Sequence, residues 1–325
     1  MRYFLFSLLS FTLLTSCGDK KKSTERYIQD SSGAINNVSV VTENEIWDGR
    51  VGEAIRTVLA KPIYGLPQDE PMFTISQIPP AVFSGFVTKN RTVLMIKMNK
   101  DAGIEYLDNV YAKPQKVIVV SGKSKKEIIA ILQENEYKII DTFRSMEIAE
   151  RQRQMAKSPH TFKSIKEKLN LTIDFPSIYR IAKSTDDFFW IRKDITTGTT
   201  NLMIYELPYS AIKRNDSVVN QIIHIRDSVG KKYIEGPVDG SYLATEDAYT
   251  PFHGETILDN KPALETKGIW DVKNAFMGGP FISYAVEDKI NKRWVVLEGF
   301  AFAPSVDKRN YMLELEAIIK TVKIN

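Results

Sequence analysis

Apolar positions in the first half of the chain switch between two periods. Residues 38–41 form a short apolar run that predicts a strand. Trp47, Val51, Ala54, Ile55, Val58 and Leu59 then recur at helical spacing. Thr42, with Glu45 three residues later, reads as the capping box of that helix, and Pro62 and Gly65 stop it. Segments 72–78, 91–98 and 117–120 predict further strands. Ser124 and Glu127 form a second capping box, opening a run to Lys157 that holds neither Gly nor Pro. Its start carries an apolar stripe (Ile128, Ile129, Ile131, Leu132), whereas residues 144–157 are mostly charged and polar. A helix that polar is exposed or bridges two lobes. Ser158-Pro159 ends it.

The second half has a different rhythm. Segments 171–174, 178–183, 188–194 and 201–207 are strand-like, with a turn at Thr197-Gly198. Asp216 caps a helix with Val218, Val219, Ile222, Ile223 and Val229 on one side, and Gly230 stops it. Segments 242–250, 255–258 and 264–272 predict strands, and 281–286 with 293–302 make the clearest hairpin. Ser305 or Asp307 caps a final helix carrying Met312, Leu315, Ile318, Ile319 and Val322. Serial antiparallel strands with a few packed helices mean an α+β fold. The change of rhythm predicts two lobes, an α/β lobe over 37–157 and an antiparallel α+β lobe over 158–325. The polar helix end between them predicts a weak joint of modest area, with room for a shared groove.

Before the lobes lies a different pattern. Met1-Arg2-Tyr3 precedes an apolar run over residues 4–14, too short to cross roughly 30 Å of hydrocarbon as a helix. Leu14-Thr15-Ser16-Cys17, followed by Gly18, resembles the bacterial lipobox. That resemblance implies a signal peptide over 1–16 that is removed, and a diacylglyceryl thioether on Cys17, usually with N-acylation. The alternative is a free thiol at the end of an uncleaved anchor. Two or three acyl chains anchor stably, at about 0.8 kcal/mol per buried methylene. Residues 17–36 are then the lipidated cysteine and a flexible tether, since nothing in them builds a core. Lys20, Lys21 and Lys22 either sit on anionic headgroups, at about 1 kcal/mol per charge, or are simply solvated. The expected location is a bacterial cell envelope, the outer membrane before the inner, with the body in the periplasm or on the surface. Asp19 retains lipoproteins at the plasma membrane only in some enteric bacteria, so it does not decide which membrane.

The lipobox, the polar tether, Asp186-Asp187-Phe188-Phe189-Trp190, Tyr242-Leu243-Ala244-Thr245-Glu246 and Gly278-Gly279-Pro280 resemble an uncharacterised lipoprotein family of Bacteroidetes, a domain of unknown function. That family has no assigned activity, so the resemblance transfers no catalytic residue. Phe175-Pro176, the hairpin and the closing amphipathic helix resemble PsbP/Mog1-type domains, which mostly bind and assemble other molecules.

Composition narrows the chemistry. Forty-four basic against 40 acidic residues leave +4, too small a bias to argue for nucleic acid, and a single Cys excludes a disulfide-stapled scaffold. Gly122-Lys123-Ser124 follows an apolar strand and opens a helix, but position 117 is Val where a P-loop needs Gly to wrap the phosphates, so nucleotide is not expected. His253 and Glu255 share a strand face, which suits a metal or an acid/base pair. No third ligand accompanies them, since His160 and His224 lie elsewhere; no metal and no cofactor is expected. Glu298 falls in an aromatic stripe with Trp294, Val296, Phe300 and Phe302, where burial would raise its pKa and suit a general acid. A bulge near Gly299, or a buried pair with an Arg, would remove that role. Asp187 reads as a turn residue or as a partner acid.

Two functions follow from these residues. The first is a membrane-anchored, non-enzymatic binding or assembly module for an envelope protein or glycan, with Tyr242, Glu246, Asp247, Tyr249, Phe252 and His253 as a loop-borne binding cluster. The second is a lipid-anchored hydrolase of an envelope glycan, with Glu298 as acid and Asp187 or Glu255 as partner. That chemistry needs two carboxyls roughly 5–10 Å apart in one cleft.

Overall fold

The structure, a computed structural model, describes residues 28–325. Cys17, the segment 1–16 and most of the tether lie outside the described residues. The fold is α+β, with two domains and packed helices. No helix among the described residues is long and apolar enough to cross a membrane.

The first domain is built on a five-stranded sheet: β1 (Asn37–Val41), β2 (Thr74–Ile78), β3 (Thr92–Met98), β4 (Gly103–Asp108) and β5 (Lys116–Gly122), in the order β2-β1-β3-β5-β4. All pairings are parallel except β4 with β5. The sequence pattern missed β4, because its half-exposed edge position lets Glu105 and Asp108 interrupt the apolar signal. Helices α1 (Arg50–Leu59), α2 (Lys125–Glu134) and the start of α3 (Glu136–Met155) pack on one sheet face, around Val38, Val40, Ile55, Leu94, Ile118, Ile128 and Phe143. The opposite face, with Val41, Val93, Val117 and Val119, carries no α-helix among the described residues; Phe83, between two short 3-10 turns (Pro80–Val82 and Gly85–Lys89), and Tyr111 cover it.

The second domain is an eight-stranded antiparallel sheet. Its strands are β6 (Arg180–Ser184), β7 (Phe188–Ile195), β8 (Gly198–Pro208), β9 (Tyr242–Thr245), β10 (Phe252–Leu258), β11 (Lys261–Lys273), β12 (Ala275–Asp288) and β13 (Arg293–Phe302). The order is β6-β7-β8-β13-β12-β11-β9, and β10 pairs with the remainder of the β11 edge. Alternation divides the central strands between two cores. Ile191, Leu202, Val295, Leu297 and Ala301 face α4 (Lys163–Leu169) and α6 (Arg309–Ile319). Phe188, Met203, Trp294, Val296 and Phe300 face α5 (Val218–Tyr233). Because both faces are covered, β13 reads as a continuous apolar run, which is why its limits match the sequence pattern.

Several helix ends differ from expectation. Thr42 and Glu45 form no capping box: a one-turn helix (Asn44–Trp47) intervenes, and α1 starts after Gly49. Ser124 does accept from the Glu127 amide at 3.2 Å. The gap-free run to Lys157 breaks into α2 and α3 at Asn135. Asp216 does not cap α5, which begins at Val218 after Ser217. Gly230 does not end α5 either. It lies inside the helix, where an added Cβ would sit 2.2 Å from the Leu243 carbonyl oxygen. Only glycine lets α5 approach β9 that closely. Strand β9 ends at Thr245, not near 250.

Neither Ser305 nor Asp307 caps α6; Ser305 is left-handed, with φ 63°. The cap comes from the other domain. Both oxygens of the Glu70 carboxylate, 4% exposed, accept from the α6 N-terminus: Lys308 N at 2.7 Å and Arg309 N at 2.8 Å. Arg309 reciprocates, donating to the Pro71 carbonyl at 2.6 Å and to Thr74 Oγ1 at 2.5 Å.

Of the two alternatives for the polar end of α3, exposed or bridging two lobes, the structure shows the bridge. Glu147 is fully buried, bridging Arg91 at 3.0 Å and accepting from the Asn36 amide at 3.0 Å. Burial pushes its pKa up, against Arg91. On the α6 side, Arg144 pairs with Glu316, and Arg151 with Glu314 at 3.1 Å. Gln152 donates to the Ala317 carbonyl at 3.0 Å, while Ile148 packs on Leu313 and Ala317. Arg144, Glu147 and Arg151 of this segment are matched across the joint or within the first domain.

Candidate functional site

An aromatic cleft of about 390 Å³ opens on the α5 face of the large sheet. Its position follows from helix length. Helix α5 stops at Tyr233, so the ends of β7, β8, β11 and β13 beyond it are left without a lid. The chain leaving α5 (Ile234, Gly236, Pro237) forms one wall. Trp190, Trp270, Met277, Phe300 and Phe302 form the apolar lining, with Arg192, Thr199 and Asn201 among them.

The rings hold one another in place. Trp270 meets Phe300 edge-on at 5.6 Å between centroids and Phe302 at 6.4 Å. Trp190 Nε1 donates to Asn201 Oδ1 at 3.0 Å, and Asn201 Nδ2 donates to Thr199 Oγ1 at 2.9 Å. Two donors on lining residues have no partner among the described residues: Trp270 Nε1, on a side chain only 2% exposed, and Arg192 Nε. A buried donor left unpaired costs about 1–3 kcal/mol. The cleft therefore offers flat apolar walls and an internally satisfied amide, with the two unmatched donors buried behind its surface. That suits binding of an apolar or aromatic group.

The carboxylates singled out in the sequence are not brought together. Glu298 stands in the aromatic stripe on an unbroken β13, but it is fully buried. The Arg226 guanidinium holds its Oε1 at 2.9 Å, and burial pushes its pKa up against that cation. Arg226 also donates to Thr245 Oγ1 at 3.0 Å and stacks 3.9 Å from the Phe281 ring centroid. Glu255 is on the surface with Arg214 at 2.5 Å. Asp187 accepts from Thr185 Oγ1 at 2.8 Å in its turn. No two of the three share a hydrogen-bond partner among the described residues.

The binding cluster read from the sequence is divided. Glu246 accepts from the Ala248 amide at 3.0 Å, Asp247 pairs with Lys273 at 3.1 Å, and Tyr242 lies 5.3 Å from Lys231 Nζ. His253 Nδ1 is 3.2 Å from Thr266 Oγ1, and burial pushes its pKa down. No group of three His, Cys, Asp or Glu suited to a metal occurs among the described residues. Tyr249 and Phe252 line a second groove of about 310 Å³ between the domains, where Phe252 stacks on Tyr64 at 5.4 Å. The main cleft draws its residues from six strands. In the sequence its only signals were the stripe ending in Phe300 and Phe302 and the aromatic run at Trp190.

This pairing of a mostly parallel sheet with an antiparallel one is matched by two family profiles. Residues 158–321, just over half of the chain, match the domain of unknown function DUF4837, and the chain belongs to that family. Residues 31–156 match a second domain of unknown function, DUF8532. No curated protein matches the sequence. Among solved structures, the Ran-binding protein Mog1p of Saccharomyces cerevisiae is similar over 51% of this chain and 95% of its own, at 7% identity and a TM-score of 0.33. The PsbP/Mog1 resemblance thus extends to a weak likeness only.

Proposed function

We propose that the protein is a lipid-anchored, non-enzymatic binding module of a bacterial envelope. Cys17 tethers it, and the DUF4837 domain holds an apolar or aromatic group in the Trp190–Trp270 cleft. The cleft carries this reading: five large apolar side chains line it, while the candidate acids lie elsewhere with partners of their own. A glycan would need several free polar groups, and Asn201 is already committed on both sides. An aromatic or aliphatic group of an envelope protein, or a small apolar molecule, fits better. The lipobox-like residues and the tether support the anchoring.

The probe is 1-anilinonaphthalene-8-sulfonate, whose fused rings match the walls and whose sulfonate accepts hydrogen bonds. Saturable one-to-one binding with quenching of tryptophan emission is expected. Thr199→Phe, which fills the cleft, abolishes it. Binding that survives Thr199→Phe with unchanged affinity excludes the cleft as the site.

A further inference from the structure

We propose that the face of the first domain opposite α1, α2 and α3 rests on the bilayer, with the loop of 3-10 turns over residues 80–89 as its point of contact. The inference rests on the lipid anchor at Cys17 and goes beyond it by assigning an orientation. Phe83 turns inward from this loop, meeting Tyr111 edge-on at 5.4 Å and covering the valines of the sheet. Its neighbours turn outward: Val82 is 58% exposed and Phe86 77% exposed. Neither side chain belongs to the apolar clusters of the domain among the described residues, so both are available to another apolar medium.

The position of the tether selects the bilayer as that medium. The described chain begins against this same loop, where Ile28 and Gln29 line a small pocket with Gly85, Thr88 and Lys89. Gln29 and Asp30 pair with Ala112 and Lys113, and the Ser32 amide donates to the Lys89 carbonyl at 2.9 Å. The segment back to Cys17 therefore departs from the foot of the loop. Its eleven residues, 18–28, reach at most ~40 Å when fully extended. A lipid on Cys17 keeps the loop within that reach of the membrane at all times, so contact is intramolecular in character. Lys89 and Lys113 flank the site and have no carboxylate partner among the described residues, which suits anionic headgroups. Apolar side chains flanked by lysines suit an interfacial contact.

The test uses the mature, lipidated chain in vesicles of phosphatidylethanolamine and phosphatidylglycerol. The Cys17 sulfur is then a thioether, so Phe86→Cys provides one free thiol for an environment-sensitive nitrobenzoxadiazole label. Ile257→Cys, on β10 of the other domain and 75% exposed, serves as the reference. The label at position 86 should shift to the blue and be quenched by nitroxide lipids, as for a group ~5–10 Å into the interface, while the label at 257 stays in water. A water-like label at 86 on protein that floats with the vesicles overturns the proposal and leaves the anchor standing. Equal shifts at both positions overturn it as well. Failure of the chain to float or to carry lipid removes the anchor, and the orientation with it.

Discussion

Replacing Glu70 by Gln should destabilise the protein by an amount large for one exposed-looking loop residue. The side chain is 4% exposed, and its two oxygens accept from two consecutive amides at the start of α6. Gln retains the shape and one acceptor but turns an NH2 donor toward a backbone N–H. Losing a cap contributes about 1 kcal/mol, and losing a partly buried negative charge at a helix N-terminus contributes up to about 2 kcal/mol. The amide left unpaired adds about 1–3 kcal/mol, partly overlapping the cap. A total of about 2–4 kcal/mol is expected. Urea unfolding monitored by far-UV circular dichroism measures it, and hydrogen exchange should show the first turn of α6 losing protection first. The cap reaches across the domain boundary, so Arg309→Ala, which removes the reciprocal contacts to Pro71 and Thr74, should couple to Glu70→Gln in a double-mutant cycle. A loss below about 0.5 kcal/mol would mean the carboxylate is replaceable by water, and the reasoning fails.

Four further outcomes can be checked. Burial pushes the Glu316 pKa up, but Arg144, Lys320 and Lys267 outweigh it and bring it down to about 2. A depressed carboxylate stabilises the fold above its unfolded pKa, and that contribution, about 3 kcal/mol, is lost as pH falls from about 4.5 through about 2. Glu147 and Glu298 have raised values, so their contribution runs the other way, growing as pH falls. Glu316→Gln should therefore flatten the acid limb of a stability–pH profile, and an unchanged limb contradicts the assignment. Gly230→Ala, which gains about 1 kcal/mol in an ordinary helix, should instead cost about 1–3 kcal/mol here, because the Leu243 carbonyl blocks the methyl; a gain in thermal midpoint refutes this. Cys17→Ala should abolish labelling by a palmitate analogue and leave residues 1–16 attached, as mass spectrometry of the purified chain would read. Reductant should not change the unfolding midpoint of the mature protein, because a lone Cys has no intramolecular partner.

What the sequence disclosed depended on how local the cause was. The strand β13 was legible because one nearly continuous apolar run of ten residues carries its own ends. The Ser124 cap was legible for the same reason. The cap of α6 was not, since its carboxylate stands at position 70, more than two hundred residues away. Gly230 has the spacing of a helix stop, and only the presence of Leu243 against it shows why a glycine is needed mid-helix. Residues 144–157 carry charges whose partners include Arg91 and acids of α6, so composition alone could not choose between an exposed helix and a bridge. The cleft was the hardest part. Trp190, Asn201, Trp270 and Phe302 come from four strands, and no spacing links them before the sheet is assembled.

Beyond its first turn, from Met312 to Ile319, helix α6 has no solvent face of its own. Leu315, Ile318 and Ile319 press on the large sheet, Leu313 and Ala317 on Ile148, and Glu314 and Glu316 on arginines of α3. It belongs by sequence to the DUF4837 segment and by packing to both segments. A gene fragment encoding the second domain alone would present an uncovered leucine and two acids stripped of Arg144 and Arg151. Such a fragment would need a new cover for that face.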